Sequence, residues 1–520
     1  MKTRTSGFLF GLLFFFLIAF LPTFEAFQVA AEKTLAGQSL QLDVETLARS
    51  MQVVLTLVSL MVIWWITDAV PLAATALLPA IILPLFHVSG VQGKTVFEFT
   101  PRNVLHNYAS PVIFLFFGGF LIAGAMQRWK LDKRFTLWLL TRGNIANNTR
   151  STLLGLMTVS ALLSMWISNT ATAAMMLPIG LGILSVVDSK PGESRFGTAL
   201  MLGIAWSASV GGIGTIIGTP PNGIALGILE STFSNDPNYQ HISFLDWMKF
   251  GVPLVIGFIP MIWLLLLKLY PPEMPSLPGG KTRLLDERLK LGPLSTGEKG
   301  TLAVFAFAVV SWVSNPFWGS ILPLPLVTQL SWIDEYSIGL LAGIILFFIP
   351  INLRGGVFLL DWRDTKFVDW GTLLLFGGGI ALSEALFKTG LAGLLATSFI
   401  GIFGTPSTLI TIVIVVLLVS FLTEITSNTA ITSMMVPIVI SIALSAGENP
   451  VALAVAVAIA ASMAFMLPVA TPTNALVYST GYIRMGQMIK AGFWLDLLGW
   501  LFTVVILVVV ANWMFGVIVF

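Results

Sequence analysis

One short stretch decides the fold, because the chain contains it twice. The first copy reads SNTATAAMMLPI at residues 168–179, and the second copy, 259 residues later, reads SNTAITSMMVPI at residues 427–438. Each copy interrupts a long apolar run, at residues 152–187 and 407–445. A Ser-Asn-Thr tripeptide inside such a run predicts one half-helix that ends and another that begins at a polar tip.

Two further motifs repeat in the same order. The sequence LFFGG at 115–119 returns as LLFGG at 374–378, and GTPPN at 218–222 returns as ATPTN at 470–474. Three matched motifs in one order indicate an internal duplication. The Thr-Pro motifs interrupt two more apolar stretches, at 197–231 and 452–483, and irregular backbone at membrane depth is tolerated only where it lines a cavity. We therefore look for function at these four interruptions.

The composition is that of a membrane protein. Of 520 residues, 56% are apolar or aromatic and only 10% are charged, whereas soluble domains carry about 25% charged residues. The formal net charge of +2 gives no basic field to attract nucleic acid. The chain has no cysteine and only three scattered histidines, which excludes disulfides and thiolate metal sites and argues against a histidine-rich catalytic site.

Apolar runs of about 20 residues predict membrane-spanning helices. With both Ser-Asn-Thr runs taken as re-entrant hairpins, the sequence predicts an all-α polytopic membrane protein with about 11 transmembrane helices. Besides the two Thr-Pro stretches, the predicted spans are 8–24, 52–68, 70–87, 111–127, 249–270, 300–316, 338–353, 371–387 and 490–516.

The duplication divides the chain into two inverted repeats. The first repeat is 51–270 with an inward hairpin at 152–187, and the second is 300–520 with an outward hairpin at 407–445. A cytoplasmic linker at 271–299 joins them, and a hydrophobic segment with a polar external loop at 1–50 precedes them. The first segment is either a retained span or a cleaved signal peptide. The stretch 28–50 is a polar connection with room for a short surface helix.

The distribution of positive charge orients the repeats. With the N-terminus inside, all but six of the 27 Lys and Arg residues fall on the inner side, as the positive-inside rule requires. The six on the outer side are Lys33, Arg49, Lys94, Arg102, Lys249 and Lys388. Segments 111–127 and 371–387 then run in opposite directions. Inverted repeats with interrupted helices are the architecture of secondary transporters, whose site lies between the halves.

The interruptions are suited to bind an anion and cations. The N-terminus of each second half-helix presents free N–H groups and a partial positive charge to a carboxylate. Carbonyl and side-chain oxygens beside it form a cage for a hard cation such as Na⁺. Ser164 and Thr423 lie one helical turn before the two tips, at the spacing to join such cages. A single Ser-Asn-Thr would more simply cap a kinked helix. Because the motif occurs twice, in register with the Thr-Pro motifs, we favour a binding function.

Glu424 lies inside the second hairpin, and Glu384 lies near the end of the span at 371–387. An intramembrane carboxylate suggests function. Met165 occupies the position of Glu424 in the first repeat, however, so we expect Glu424 to have a structural partner. The runs 151–187 and 407–445 contain no Lys or Arg, so an anion there needs helix ends and co-bound cations for neutralisation.

These motifs resemble the divalent anion:sodium symporter family, the transporters of dicarboxylates, citrate and sulfate, from about residue 52 onward. The resemblance implies a homodimer with a scaffold domain, a mobile transport domain and elevator-type alternating access. It implies two sodium sites, the first formed by Ser164, Ser168, Asn169 and Gly218, and the second by Thr423, Thr426, Asn428 and Ala470. It also implies that the substrate contacts are Asn169, Thr170, Thr219, Ser427, Asn428, Thr429, Thr471 and Pro472.

The sequence thus predicts a transporter and not an enzyme, located in the bacterial inner membrane. The expected activity is sodium-coupled import of C4-dicarboxylates such as succinate, malate or fumarate. Uptake of citrate or sulfate and sodium-independent dicarboxylate exchange remain alternatives within transport. A polytopic membrane enzyme is the alternative from another class, although the hairpins lack a nucleophile–base pair. Two Na⁺ ions balance a dianion, and the resemblance implies at least one more.

Overall fold

The chain folds into 25 α-helices and two short β-hairpins over the part that the structure describes. That structure is a computed structural model, and it describes residues 2–37, 40–143, 145–234, 236, 239, 241–321, 323–330, 332–404 and 407–515. The helices up to residue 269 are α1 (Lys2–Phe20), α2 (Glu25–Leu35), α3 (Val44–Thr67), α4 (Leu72–Thr75), α5 (Leu78–Leu85), α6 (Pro101–His106), α7 (Pro111–Arg128), α8 (Leu131–Leu140), α9 (Thr149–Ser164), α10 (Asn169–Val186), α11 (Arg195–Gly211), α12 (Pro220–Phe233) and α13 (Phe244–Leu269).

The remaining helices follow the linker. They are α14 (Gly280–Leu289), α15 (Thr296–Ser314), α16 (Trp318–Ile321), α17 (Leu324–Leu330), α18 (Glu335–Ile345), α19 (Trp370–Lys388), α20 (Leu391–Phe403), α21 (Thr408–Leu422), α22 (Asn428–Ala446), α23 (Pro450–Ala461), α24 (Pro472–Tyr478) and α25 (Met485–Phe515). The strands β1 (Ser89–Gln92) and β2 (Thr95–Glu98) pair antiparallel, as do β3 (Pro350–Asn352) and β4 (Val357–Phe358).

Nine helices of the described chain are long and apolar enough to cross a membrane, which confirms the all-α polytopic class. The count reaches ten if α1 and α2, which meet at a bend of 62°, form one span. Large apolar side chains such as Leu13, Ile256 and Val310 are exposed on these helices. Such a surface is stable only when lipid covers it, so the chain is an integral membrane protein.

Two of the predicted spans are broken in the structure. Segment 70–87 contains three prolines, and it forms α4 and α5 with a break at Ala76–Leu77; proline removes a helical hydrogen bond and restricts the residue before it. Segment 338–353 ends early, because α18 stops at Ile345 and the chain turns into the β3–β4 hairpin. The polar connection at 28–50 includes most of α2, a helix of 11 residues.

The duplication is visible in three pairs of elements. Each predicted hairpin is a pair of helices, α9 with α10 and α21 with α22, joined by four or five residues around Ser-Asn-Thr. Each Thr-Pro motif separates two helices, α11 from α12 and α23 from α24. The β1–β2 and β3–β4 hairpins also occupy matching positions, ahead of the helices with the Gly-Gly motif.

The two repeats interlock through their broken helices. The second arm of the first hairpin, α10, packs against α24, which follows the break of the second repeat. The second arm of the second hairpin, α22, packs against α12, which follows the break of the first repeat. This exchange brings the two hairpin tips and the two breaks to one place.

The repeated Gly-Gly motifs are close-packing positions. A Cβ atom on Gly118 would overlap the carbonyl of Gly339, and one on Gly378 would overlap the carbonyl of Ala76. Small residues allow such backbone approach between membrane helices. The linker 271–299 is docked as well, since Arg288 of α14 donates to Thr141 Oγ1 at 3.0 Å and Leu277 N–H donates to the Asn147 carbonyl at 2.9 Å.

Candidate functional site

A cavity of about 700 Å³ lies where the two hairpin tips and the two breaks meet. Its walls include all eight predicted substrate contacts: Asn169, Thr170, Thr219, Ser427, Asn428, Thr429, Thr471 and Pro472. They also include Ser168, Thr426 and Ala470 from the predicted sodium sites. The other three predicted sodium ligands, Ser164, Gly218 and Thr423, are buried. Residues chosen from four distant parts of the sequence therefore gather at one place.

The tip of the first hairpin brings three of its predicted sodium ligands together. Ser164 ends α9, and its hydroxyl donates to Asn169 Oδ1 at 2.7 Å. A Cβ built on Gly212 would lie against Asn169 Oδ1 and 3.0 Å from the carbonyl oxygen of Gly218, so these two oxygens border the same small space. Ser168 caps α10, its Oγ accepting from the N–H of Ala171 at 3.3 Å.

The tip of the second hairpin repeats this geometry. Thr423 Oγ1 donates to Asn428 Oδ1 at 2.6 Å and lies 2.9 Å from the carbonyl oxygen of Ala461. Thr426 Oγ1 is buried and has no hydrogen-bond partner in the described chain, so it is available to a cation. Ser427 differs from Ser168 because its hydroxyl makes no cap bond to α22. That hydroxyl is free to contact a ligand in the cavity.

Each break is tied by an asparagine that the sequence analysis did not single out. Asn222 Nδ2 donates to the carbonyls of Gly212 at 3.0 Å and Thr215 at 2.8 Å. In the second repeat, Asn474 Nδ2 donates to Ala464 O at 3.1 Å and Leu467 O at 3.0 Å. These pairs of partners are all related by the offset of 252 residues. The signal was present in the sequence, because both Thr-Pro motifs end in Asn.

The electrostatics of the cavity favour an anion accompanied by cations. Four helices begin at its wall, with Ser168, Thr219, Ser427 and Thr471 as their N-caps. The positive ends of their dipoles therefore meet there. Prolines open α12 and α24 and have no N–H, so most free backbone donors come from α10 and α22. No Lys, Arg or His is among the described residues that line the cavity.

Two carboxylates lie at the rim of the cavity, and each has a partner within the protein. Asp68, at the end of α3, forms an ion pair with Arg4. Asp369 caps α19, accepting from the N–H of Thr372 at 3.1 Å and from its hydroxyl at 2.6 Å. Both residues are exposed. They mark the side on which the cavity opens, where α3 ends and α19 begins.

The two intramembrane glutamates have partners, as predicted for Glu424. Glu424 is 1% exposed and accepts backbone hydrogen bonds from Met466 at 2.8 Å and Leu467 at 3.0 Å, and also from Phe465. Glu384 accepts from Asn107 Nδ2 at 2.7 Å and from Lys388 Nζ at 2.5 Å. Neither glutamate lines the cavity.

A histidine bridges two helices away from the cavity. His241, in the connection between α12 and α13, hydrogen-bonds through Nδ1 to Glu230 and through Nε2 to Glu335. Burial alone would lower the pKa of His241, but hydrogen bonds to the two carboxylates outweigh it and raise the pKa to about 10. The ring is therefore a cation at neutral pH, and it ties α12 to the first residue of α18.

Comparisons with known proteins find relatives that match most of the chain. Residues 43–519 match the family model described as the sodium:sulfate symporter transmembrane region. The sodium-dependent dicarboxylate transporter SdcS of Staphylococcus saprophyticus is 38% identical over 455 residues, covering 86% of this chain and 83% of its own. The transporter of the same name from Staphylococcus aureus strain USA300 is 36% identical over 463 residues, covering 87% of this chain and 85% of its own.

A solved structure shares the fold at low sequence identity. The YdaH transporter of Alcanivorax borkumensis superposes with a TM-score of 0.52 at 16% identity, over 88% of this chain and 98% of that one. The relatives are named as transporters, which agrees with the prediction that the chain is not an enzyme. The match over 43–519 and the identity to these relatives, together with the paired hairpins, show that the chain belongs to the sodium:sulfate symporter family, the divalent anion:sodium symporters.

Proposed function

We propose that this protein imports C4-dicarboxylates such as succinate, malate or fumarate together with Na⁺. The observation that carries the proposal is the shared cavity, in which both hairpin tips and all eight predicted substrate contacts meet. Its volume of about 700 Å³ lies within the range of small-molecule sites. The names of the two staphylococcal relatives favour a dicarboxylate.

The two asparagines explain how ion and anion would be coupled. The Oδ1 atoms of Asn169 and Asn428 each face a hydroxyl group in a cluster of oxygens that suits Na⁺. Their Nδ2 groups make no hydrogen bond to the described chain and are available as donors to a carboxylate. Sodium bound on the oxygen side would fix each amide in the orientation that the dianion needs. The anion would in turn neutralise the charge of the ions.

In this proposal, the structure is an inward-facing state of the transporter. The rim of the cavity includes Asp68 and Asp369, at the ends of α3 and α19 that the positive-inside rule places in the cytoplasm. With the N-terminus inside, the first hairpin enters from the inner side and the second from the outer side. We place the protein in a bacterial inner membrane, with 51–270 and 300–520 as the inverted repeats.

Alternating access would then follow the elevator scheme. Both hairpins and both breaks belong to one body, because α10 packs on α24 and α22 packs on α12. That body would carry two or more Na⁺ and the dianion across the bilayer past a scaffold that includes α7 and α18, within a homodimer. The tight backbone contact of Gly118 with Gly339 supports a rigid α7–α18 pair.

The test is uptake of labelled succinate into proteoliposomes under an inward Na⁺ gradient, with K⁺ replacing Na⁺ in the control. We expect uptake only with Na⁺, competition by malate and fumarate, and weaker competition by citrate and sulfate. Thr429→Val removes a hydroxyl from the cavity wall and should reduce uptake. Thr158→Val is the matched control, since its hydroxyl bonds only the Leu154 carbonyl within α9 at 2.8 Å.

The same assay decides between the proposal and its alternatives. Uptake of sulfate or citrate in preference to succinate would show that the transported anion is sulfate or citrate. Succinate-for-succinate exchange in the absence of Na⁺ would identify an exchanger and contradict both predicted sodium sites.

A further inference from the structure

A second cavity, the linker cavity, lies between the first hairpin and the linker helix α14. It has a volume of about 400 Å³, and residues of α8, α10 and α14 line it. None of the described residues in its wall also lines the cavity at the hairpin tips. Helix α10 has no charged residue, whereas five of the ten residues of α14 are charged. The linker cavity is therefore apolar on one wall and charged on another.

The wall that α10 contributes is open to the membrane. It consists of Met175, Pro178, Ile179 and Gly182. Only 33% of the residues of α10 are buried inside the described protein, and the apolar surface of a membrane helix left exposed in this way is covered by lipid. A Cβ on Gly182 would meet no atom within 4 Å. The linker cavity therefore reaches the backbone of α10 at that position.

The linker cavity runs from the membrane surface towards the acyl chains. Gly182 lies four residues before the end of α10 at Val186, and Met175 lies eleven residues before it. At about 1.5 Å per residue, these positions are about 6 Å and about 16 Å from the helix end. That end lies beside the start of α14, since a Cβ on Gly279 would be 3.6 Å from Val186 Cγ1. Because α14 belongs to a hydrophilic linker between two membrane helices, it marks the aqueous surface.

The charged end of the linker cavity has an excess of positive charge. Glu287 lies 2.7 Å from Lys290 Nζ and 3.2 Å from Lys133 Nζ, and hydrogen bonds from these two lysines lower its pKa to about 2. Arg283, which also lines the cavity, is exposed and has no ion pair with any described residue. Asp286, the other acid of α14, does not line the cavity. Three cations against one carboxylate leave two positive charges without a partner.

We propose that the linker cavity binds an anionic phospholipid, whose phosphate group is held by Lys133 and Arg283 and whose acyl chain starts along the α10 wall. Basic pockets between membrane helices at an aqueous face recognise such headgroups. A volume of about 400 Å³ is at the low end of small-molecule sites, so the cavity takes the headgroup and the upper part of one chain.

Two other kinds of occupant fit the linker cavity less well. A water-soluble phosphate would leave the apolar wall of α10 uncovered, and an uncharged lipid would leave Arg283 without a counter-charge. The site depends neither on which anion is transported nor on which side of the membrane the linker faces.

The test is native mass spectrometry of the purified full-length protein in detergent, titrated with dioctanoyl phosphatidylglycerol as the anionic probe. Dioctanoyl phosphatidylcholine has the same chains without net charge, and glycerol 1-phosphate has the phosphate without chains. We expect saturable binding of the phosphatidylglycerol, weaker binding of the phosphatidylcholine, and no displacement by glycerol 1-phosphate at the same concentration. Equal affinity for the two lipids, or displacement by glycerol 1-phosphate, would overturn the proposal.

Filling the linker cavity shows whether the lipid binds there. Gly182→Leu places a side chain in the open space beside Gly182, and leucine favours a helix more than glycine does. This variant should lose the saturable binding of phosphatidylglycerol. Gly393→Leu in α20 is the matched control, because a Cβ there also meets no atom within 4 Å, and it should bind the lipid normally.

Removing a charge gives a second, independent measure. Arg283→Gln should weaken the binding of phosphatidylglycerol about fivefold, the effect of one basic side chain on an anionic headgroup. Arg354→Gln is the matched control, since Arg354 is exposed on the same side of the membrane and does not line the linker cavity. Melting temperature checks that the variants are folded. Unchanged lipid affinity in folded Gly182→Leu or in folded Arg283→Gln would overturn the proposal, whatever the result of the uptake assays.

Discussion

Gly212→Ala should weaken one sodium site while leaving the backbone intact. Gly212 has φ −56° and ψ −24°, a helical conformation that alanine adopts freely. Its new Cβ would press against Asn169 Oδ1 and lie 3.0 Å from Gly218 O and 3.1 Å from Thr219 Cβ. Asn169 is held by Ser164, so its amide oxygen must leave the position where it borders the Gly218 carbonyl.

The expected magnitude follows from the loss of one oxygen ligand. A hydrogen bond to a charged group contributes about 1.5–3 kcal/mol, and we take the contribution of one oxygen ligand to a bound cation as comparable. The affinity of that site for Na⁺ should therefore fall roughly ten- to a hundredfold. The assay is the Na⁺ dependence of succinate uptake in proteoliposomes. The half-saturating Na⁺ concentration should rise. The cooperativity of the Na⁺ dependence should fall, because one site would no longer fill at the Na⁺ concentrations of the assay.

The second repeat offers a matched control. Ala464 occupies the position of Gly212, so that copy already carries a Cβ there, and Ala464→Gly should change the sodium dependence little. Melting temperature checks that both variants are folded. A folded Gly212→Ala protein with an unaltered sodium curve would refute the assignment of Asn169 and Gly218 to an ion site.

Three further outcomes are expected. The hydrogen bonds of charged His241 to Glu230 and Glu335 should stabilise the protein fully below about pH 6.5, and this stabilisation should be lost as pH rises through the His241 pKa of about 10. The difference in melting temperature between the unaltered protein and His241→Gln should therefore shrink over that pH range. A constant difference would contradict a charged His241. Cysteines introduced at Lys94 and Arg354, in the turns of the two β-hairpins of this cysteine-free chain, should be labelled from outside and inside respectively, and outside labelling at both would overturn the inverted topology. Succinate should evoke an inward current on supported membranes, because more than two Na⁺ per dianion moves net charge worth about 2.3 kcal/mol per 100 mV for each charge; absence of both current and potential dependence would limit coupling to two ions.

The local features of the site could be predicted from the sequence because they depend on residues close together in the chain. Ser-Asn-Thr and Thr-Pro are cap and break signals in themselves, and their repetition in order predicted the hairpins and the four interruptions. The individual residues of the cavity wall were implied by the resemblance to the symporter family. The hydrogen bond of Ser164 to Asn169 spans only five residues. The helix starts at Asn169 and Asn428 follow from the same short-range rule.

The features that the sequence did not predict depend on long-range packing. Helix α25 approaches the second break closely only because Gly492 has no side chain, since a Cβ there would lie 2.5 Å from the Cα of Met466. His241 reaches Glu335 across a separation of 94 residues, which no periodicity encodes. The single span predicted at 70–87 was wrong. The segment is apolar throughout, but its three prolines break it into α4 and α5.

The most direct test of the central claim measures succinate binding to the purified protein by titration calorimetry, in Na⁺ and in choline. If the cavity binds the ions and the dianion as one unit, succinate should bind in Na⁺ and not in choline. Succinate should also raise the affinity for Na⁺ by the same factor by which Na⁺ raises the affinity for succinate. Asn428→Ala should weaken both together. Equal succinate affinity in Na⁺ and choline, or loss of only one partner in Asn428→Ala, would contradict the account.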